Sequence, residues 1–208
     1  MPIHTFAIGP LDTNCYVVSR DGDALIVDPG GDRSWGLDMV LQFLERHQLT
    51  LRAVLLTHLH FDHTYGVAEL IGDGSSVRAY AAASDLPLLS SFLSKGETWG
   101  LPPVTPFTPE PIAEGPCRFG AIQGEIRFTP GHSPGGLALY LPDEKAAIVG
   151  DSLFYRSIGR TDLPGGHLPT LLGSIRSRLF SLPDDTVVYP GHGPSTTIGD
   201  EKALNPLL

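Results

Sequence analysis

Apolar residues occur along this chain in short blocks, most too brief for helices and closed abruptly by glycine, proline or aspartate. Residues 3–7, 15–19 and 24–27 are runs of this kind and are predicted as strands. Leu37, Val40, Leu41 and Leu44 then recur at the spacing of one helix face, so 34–47 is predicted as an amphipathic helix. Residues 51–56 read as a buried strand. Val67, Leu70 and Ile71 mark a short helix ending near Gly72, 77–82 another strand, and Ser84 the N-cap of a helix through Leu93. Between 94 and 116 the pattern breaks on Pro102, Pro103, Pro106, Pro109, Pro111 and Pro116, which predicts a long loop and no strand. Beyond it, 125–129, 137–141, 146–149 and 186–189 read as strands. Leu171, Leu172, Ile175 and Leu179 predict a helix over 169–180.

Several of these strands end in potential metal ligands. The run 51–56 leads into Thr57-His58-Leu59-His60-Phe61-Asp62-His63, 125–129 into Pro130-Gly131-His132, 146–149 into Gly150-Asp151, and 186–189 into Pro190-Gly191-His192. Neutral imidazole and carboxylate are the usual ligands of Zn, Fe and Mn. Residues two apart on an extended backbone point to the same side, so His58 and His60 can face one ion together. Asp62 and His63 follow where a helix begins, a place that suits a carboxylate. Three of the chain's 8 histidines fall in this one heptapeptide, too many for a polar loop rich in histidine by chance. Glycine and proline beside the other candidates fix tight turns and let the backbone pass close to a bound group. His4, His47 and His167 take structural roles by default. Asp28, in Val27-Asp28-Pro29-Gly30, fits two roles: a carboxylate that orients a metal-binding loop, or a turn former bonded to its own backbone. Trp99, within the long loop, either covers a site mouth or packs.

Composition narrows the class. With 208 residues, 41% hydrophobic and 18% charged, the chain is expected to form one globular domain over 1–208, with the Pro-rich loop at 94–116 internal to it. No apolar run approaches the ~20 residues of a membrane span. Met1-Pro2-Ile3-His4-Thr5-Phe6 lacks the basic-then-apolar order of a secretory leader, so a cytoplasmic protein is expected. Two cysteines are too few for a disulfide framework, and Cys15 reads as core. A net charge of −9 argues against a nucleic-acid partner. The expected partner is a small molecule, with neither nucleic acid nor membrane; oligomeric state is left open.

The combined pattern Thr-His-x-His-x-Asp-His, a His after Pro-Gly, a Gly-Asp at a strand end and a final Gly-His resembles the metallo-β-lactamase superfamily nearly end to end. The resemblance implies an α/β fold of four layers, an αββα sandwich with metals at one edge between two β-sheets. It also implies that His58, His60 and His132 bind one ion, that Asp62, His63 and His192 bind a second, and that Asp151 bridges them. Two divalent ions are thereby implied, zinc first, with iron or manganese as alternatives. Within the superfamily, Pro130-Gly131-His132-Ser133-Pro134-Gly135, Gly150-Asp151-Ser152-Leu153-Phe154, the segment from Ile158-Gly159-Arg160-Thr161-Asp162 to Leu163-Pro164-Gly165-Gly166, and the tail from Thr196 to Pro206 are similar to the short glyoxalase II-like group. That group hydrolyses thioesters such as S-D-lactoylglutathione. Arg160 stands where relatives place a basic residue near the glutathione moiety. No counterpart is expected here of the C-terminal helical region with which longer glyoxalase II enzymes bind glutathione.

The implied chemistry is direct. Two cations lower the pKa of a shared water to about 7, and the hydroxide, oriented by Asp62 as the catalytic residue, attacks the thioester carbonyl. A thiol with a pKa near 8.5 leaves readily, so no strong general acid is needed. The alternative is a mononuclear iron persulfide dioxygenase of the same fold acting on glutathione persulfide. Its iron would be held by His58, His132 and Asp151, two His and a carboxylate with open positions for O₂. Leu163-Pro164-Gly165-Gly166 resembles the hydrolases more closely.

Overall fold

The computed structural model describes residues 1–72 and 75–208. In chain order its elements are β1 (Ile3–Ile8), β2 (Thr13–Arg20), β3 (Asp23–Val27), α1 (Leu37–Arg46), β4 (Thr50–Leu55), α2 (Val67–Leu70), β5 (Arg78–Ala82), α3 (Leu89–Ser94), β6 (Glu110–Ile112), β7 (Gly115–Phe119), β8 (Ile122–Phe128), β9 (Leu137–Leu141), β10 (Ala146–Gly150), β11 (Leu153–Phe154), β12 (Ser157–Ile158), α4 (Leu168–Ser174), β13 (Val187–Pro190), β14 (Thr196–Thr197) and α5 (Ile198–Leu204). Two six-stranded sheets result, ordered β1-β2-β3-β4-β5-β6 and β14-β13-β10-β9-β8-β7. The first is antiparallel through β3 and parallel from β3 to β6. In the second, β10 and β13 form the parallel pair.

Period-two alternation builds the layers. Tyr16, Val18, Leu25, Val27 and Leu55 face the second sheet, where they meet Ile122, Ile126, Leu137, Leu139 and Ile148. Their neighbours Val17, Ala24, Ile26 and Val54 point the other way, against Leu37, Val40 and Leu44 of α1 and Phe92 of α3. On the far side Ala147, Val149 and Val188 pack on Leu171, Ile175, Leu179 and Ile198. Three cores separate four layers, helix–sheet–sheet–helix, the αββα sandwich of the metallo-β-lactamase fold. No helix among the described residues is long and apolar enough to cross a membrane.

Three local expectations are corrected. The segment 94–116 is not one loop. It opens with a tight helical turn at Lys95–Trp99 and then supplies β6 and the start of β7. Both are edge strands of their sheets, the one place in a sheet where Pro111 and Pro116 can sit without costing a ladder hydrogen bond. Ser84 caps nothing: it lies inside a 3₁₀ turn, Ala83–Leu88, with Pro87 in it, and α3 follows directly. The helix expected over 34–47 begins at Leu37, because Gly36 takes φ 99° and separates it from a short turn capped by Asp32.

The strand ends set the site. β3 runs into Asp28 and β4 into the histidine-rich heptapeptide; β10 and β13, in the other sheet, run into Asp151 and His192. Parallel strands deliver their C-terminal ends to one edge, the usual location of ligand sites in such sheets. The tail closes that edge from behind. Buried Glu201 on α5 accepts hydrogen bonds from the Arg156 backbone N (3.0 Å) and Nη1 (2.8 Å), Thr196 Oγ1 (2.7 Å) and Asn205 Nδ2 (2.8 Å). It thereby pins the turn between β11 and β12, whose residues form part of the cleft wall. Glu201→Ala removes the acceptor and leaves these donors unpaired, at a cost of about 2–4 kcal/mol. Thermal unfolding at equal metal loading should show a midpoint lower by about 5–12 °C; an unchanged midpoint would contradict this account of the tail.

Candidate metal centre

Five of the seven candidate ligands are buried, while Asp151 is slightly open to solvent and His192 more so. Their arrangement follows from what holds the far side of each imidazole. His132 Nδ1 donates to the Arg160 carbonyl oxygen at 2.7 Å. His63 Nδ1 donates to Asp28 Oδ2 at 3.0 Å. The Thr57 hydroxyl spends its one hydrogen on Asp28 Oδ2 at 2.6 Å, so toward His58 Nδ1, 3.1 Å away, it is an acceptor. Each of these three rings therefore carries its proton on Nδ1 and turns an Nε2 lone pair inward.

Asp28 is thus the orienting carboxylate. Besides His63 it accepts from the Thr57 backbone N at 2.8 Å, which ties the heptapeptide to the end of β3. Its φ of 53° lies in the left-handed region that aspartate tolerates better than most side chains. The backbone does turn there, but the carboxylate is spent on Thr57 and His63 and not on its own backbone, which corrects the turn-former alternative.

The ligand atoms fall into groups. His58, His60 and His132 have theirs mutually within 4.8 Å, as do Asp62, His63 and His192. Asp151 stands between the groups. Its Oδ1 lies 3.5 Å from His63 Nε2, and its Oδ2 lies 3.6 Å from His132 Nε2 and 3.7 Å from His192 Nε2. Asp62 Oδ2 is 3.2 Å from His192 Nε2. The structure therefore brings all seven residues to one place. Arg160 reaches it through its carbonyl oxygen, while its guanidinium forms a bidentate pair with Asp162 at 2.7 and 2.8 Å.

This donor set fits metal ions. His60 Nε2, His63 Nε2 and Asp151 Oδ1 are buried without a hydrogen-bond partner, and such atoms are costly unless something else satisfies them. His58 Nε2 and His132 Nε2 face each other at 3.2 Å with both Nδ1 protons already committed. Only an extra proton or a cation can reconcile two such lone pairs. Burial, reinforced by repulsion from His63, His60 and His132, pushes His58 well below the usual histidine range and so opposes the proton. Burial takes His60 down to about 3, helped by His132. In the other group burial also disfavours charge, but Asp62, Asp151 and Asp28 outweigh it and raise His63 well above the usual value. His63 in turn helps hold Asp62 and Asp151 ionised against the opposing effect of burial.

Glycines make room for this crowding. A Cβ on Gly191 would strike Asp151 Oδ1 and the His63 ring, and one on Gly150, at φ 51°, would strike Thr57. Two contributors escaped the sequence reading. Buried Asp85 accepts from Leu59 N (3.1 Å), Ser133 Oγ (3.0 Å) and Gly135 N (2.5 Å), joining the His58–His60 loop to the His132 loop. Asn14 Nδ2 donates to the Pro190 and Gly193 carbonyls at 3.0 and 2.8 Å, holding the loop that carries His192. Nothing near Asp85 in sequence hints at its role; Asn14 is at least an uncharged polar residue inside an apolar strand.

Known proteins share this architecture. A model of the metallo-β-lactamase superfamily matches residues 8–192. Hydroxyacylglutathione hydrolase GloC of Haemophilus influenzae is 35% identical over 213 residues, which span 100% of this chain and 98% of that protein. The crystal structure of the B3 metallo-β-lactamase BLEG-1 matches with a TM-score of 0.91 and 38% identity, covering 100% of this chain and 99% of its own. TTHA1623, solved in a di-iron-bound form, matches with a TM-score of 0.88 and 38% identity over 99% of this chain and 100% of its own.

Asp28→Asn isolates the orienting charge, since asparagine keeps the size and tolerates the left-handed backbone. Its NH₂ facing His63 Nδ1 would favour the tautomer with the proton on Nε2, which has no lone pair for a metal. Metal affinity, measured by elemental analysis after dialysis against buffered free ion, should fall about 10–100-fold. Affinity equal to the parent would refute the role given to Asp28.

Proposed function

The chain belongs to the metallo-β-lactamase superfamily, and within it we propose that this protein hydrolyses thioesters of the S-2-hydroxyacylglutathione type at a pair of divalent metal ions. The observation that carries the reading is the position of Asp151, one carboxylate set between two His-rich ligand groups at the floor of a cleft of about 380 Å³. In this reading His58, His60 and His132 hold one ion, Asp62, His63 and His192 the other, and Asp151 both. Zinc is the first candidate, with iron or manganese also suited to nitrogen and oxygen ligands. The di-iron form of TTHA1623 supports a metal pair, and the name of the GloC relative supports the substrate class. Such a substrate belongs in the cytoplasm, where Cys15 and Cys117 also stay reduced.

When bound, the ions acidify a water and polarise the carbonyl of the ester. The chain's own residues supply the rest. Asp62, kept ionised by His63 and His192, is the group that orients the attacking water and accepts its hydrogen bond. Asp28 and the Arg160 carbonyl fix the rings of His63 and His132, so the site does not reorganise as charge develops. Phe61, Phe154 and Ile158 give the cleft apolar walls that exclude bulk water from the reacting carbonyl. The departing thiolate is stable near neutral pH, so the reaction needs no dedicated acid for it.

The test is turnover of S-D-lactoylglutathione, followed by loss of thioester absorbance, alongside nitrocefin hydrolysis and oxygen uptake on glutathione persulfide. Robust thioester turnover is expected, reduced by at least about 10–100-fold in metal-loaded Asp62→Ala. Oxygen uptake on the persulfide without thioester hydrolysis would identify the iron dioxygenase instead, and β-lactam turnover alone would also overturn the proposal. Near-normal turnover by Asp62→Ala would remove Asp62 from its assigned role.

A further inference from the structure

Two non-histidine cations line the cleft, Lys95 and Arg160, and their situations differ. Arg160 is already satisfied: Nε and Nη2 both bind the Asp162 carboxylate, and that pairing pulls Asp162 down to about 2 while raising Arg160. Lys95 is partly buried on the cleft wall, and no ion-pair partner for it exists among the described residues. A cation set in a concave wall of a chain with net charge −9 is a local exception to the field that surrounds it.

The placement of Lys95 is fixed by the metal motif itself. Phe92 of α3 packs its ring edge-on against His60 at 4.7 Å. The Lys95–Trp99 turn that follows closes onto Phe61, the residue between His60 and Asp62. Trp99 meets the Phe61 ring at 5.6 Å, and Gly96 approaches so closely that a Cβ would lie 3.1 Å from Phe61 Cδ2 and 3.0 Å from Tyr65 Oη. Lys95 and half-exposed Trp99 thus stand on one short turn, held against the ligand heptapeptide, and both face the cleft. The wall offers an ammonium and an aromatic face side by side. That pair suits a flexible arm that carries a carboxylate and apolar methylenes.

We propose that Lys95 is a specificity-determining residue, whose ammonium binds a carboxylate on the thiol arm of the substrate while Trp99 covers the adjoining part of that arm. The proposal rests on the thioesterase reading and adds to it the residue that recognises the leaving group. It assigns to Arg160 the lesser part, because a carboxylate bound there must compete with Asp162.

Steady-state kinetics on the metal-loaded enzyme tests this with two substrates: S-D-lactoylglutathione, and the same thioester with both glutathione carboxylates methylated. Lys95→Ala should raise KM for the first about 10-fold, the scale of one lost charge-assisted hydrogen bond, with kcat within about 2-fold. Lys95→Glu should raise it further, and Lys95→Arg should restore it to within about 3-fold of the parent. For the methylated substrate all variants should match the parent, which a structural role for Lys95 would not allow. Calorimetric titration with S-methylglutathione should show the same loss of affinity in Lys95→Ala. An unchanged KM in Lys95→Ala, or an equal rise for both substrates, would overturn the proposal. A parent enzyme that turns over neither thioester would overturn the thioesterase reading and this proposal with it.

Discussion

Three of the buried imidazoles are gripped from behind by an atom that can only accept. A carbonyl oxygen, a carboxylate and a hydroxyl whose hydrogen is already given away leave His132, His63 and His58 no choice of tautomer. Their Nε2 lone pairs are then turned inward at a buried place, and two of them stand 3.2 Å apart. Such an arrangement is unfavourable unless a positive charge sits among the lone pairs. The rest of the structure can be understood as the scaffolding that imposes this frustration and the cleft that exploits it.

The scaffolding is distributed over both sheets. β3 and β4 belong to one, β10 and β13 to the other, and the ligands lie where these strands end. Joining them requires bonds across the interface, and the chain uses buried polar residues for that purpose. Asn14 on β2 reaches the loop after β13, and Asp85 couples the loop after β4 to the loop after β8. Each is buried with its hydrogen-bonding capacity engaged, the condition under which buried polar groups specify geometry. Gly150 and Gly191 complete the fit by being absent of side chain where Thr57, Asp151 and His63 crowd.

Much of this was legible in the residues. The period-two runs located most strands, and ligands at strand ends announced a shared site before any fold was known. What the sequence obscured has a physical cause in each case. Prolines at 111 and 116 suggested a loop, since proline removes a donor; edge strands need no donor on their outer side, so both were accommodated in β6 and β7. Ser84 looked like a cap, but capping depends on backbone angles set by Pro87 and by packing rather than on the side chain alone. Asp85 was invisible because its partners lie 26, 48 and 50 residues away. The Arg160 backbone oxygen that fixes the His132 ring leaves no trace in the sequence, because any residue possesses one. Asp28 was ambiguous until the tautomer of His63 gave its carboxylate a task.

A paired centre stands or falls on how many cations the cluster holds. Elemental analysis of the purified protein, stripped with chelator, reloaded with Zn²⁺ or Fe²⁺ and freed of excess ion, reads that number. Two equivalents per chain, reduced in Asp151→Ala as the shared carboxylate is lost, is the predicted result. A single equivalent per chain at saturation, unchanged in Asp151→Ala, would contradict the paired centre and the hydrolytic chemistry built on it.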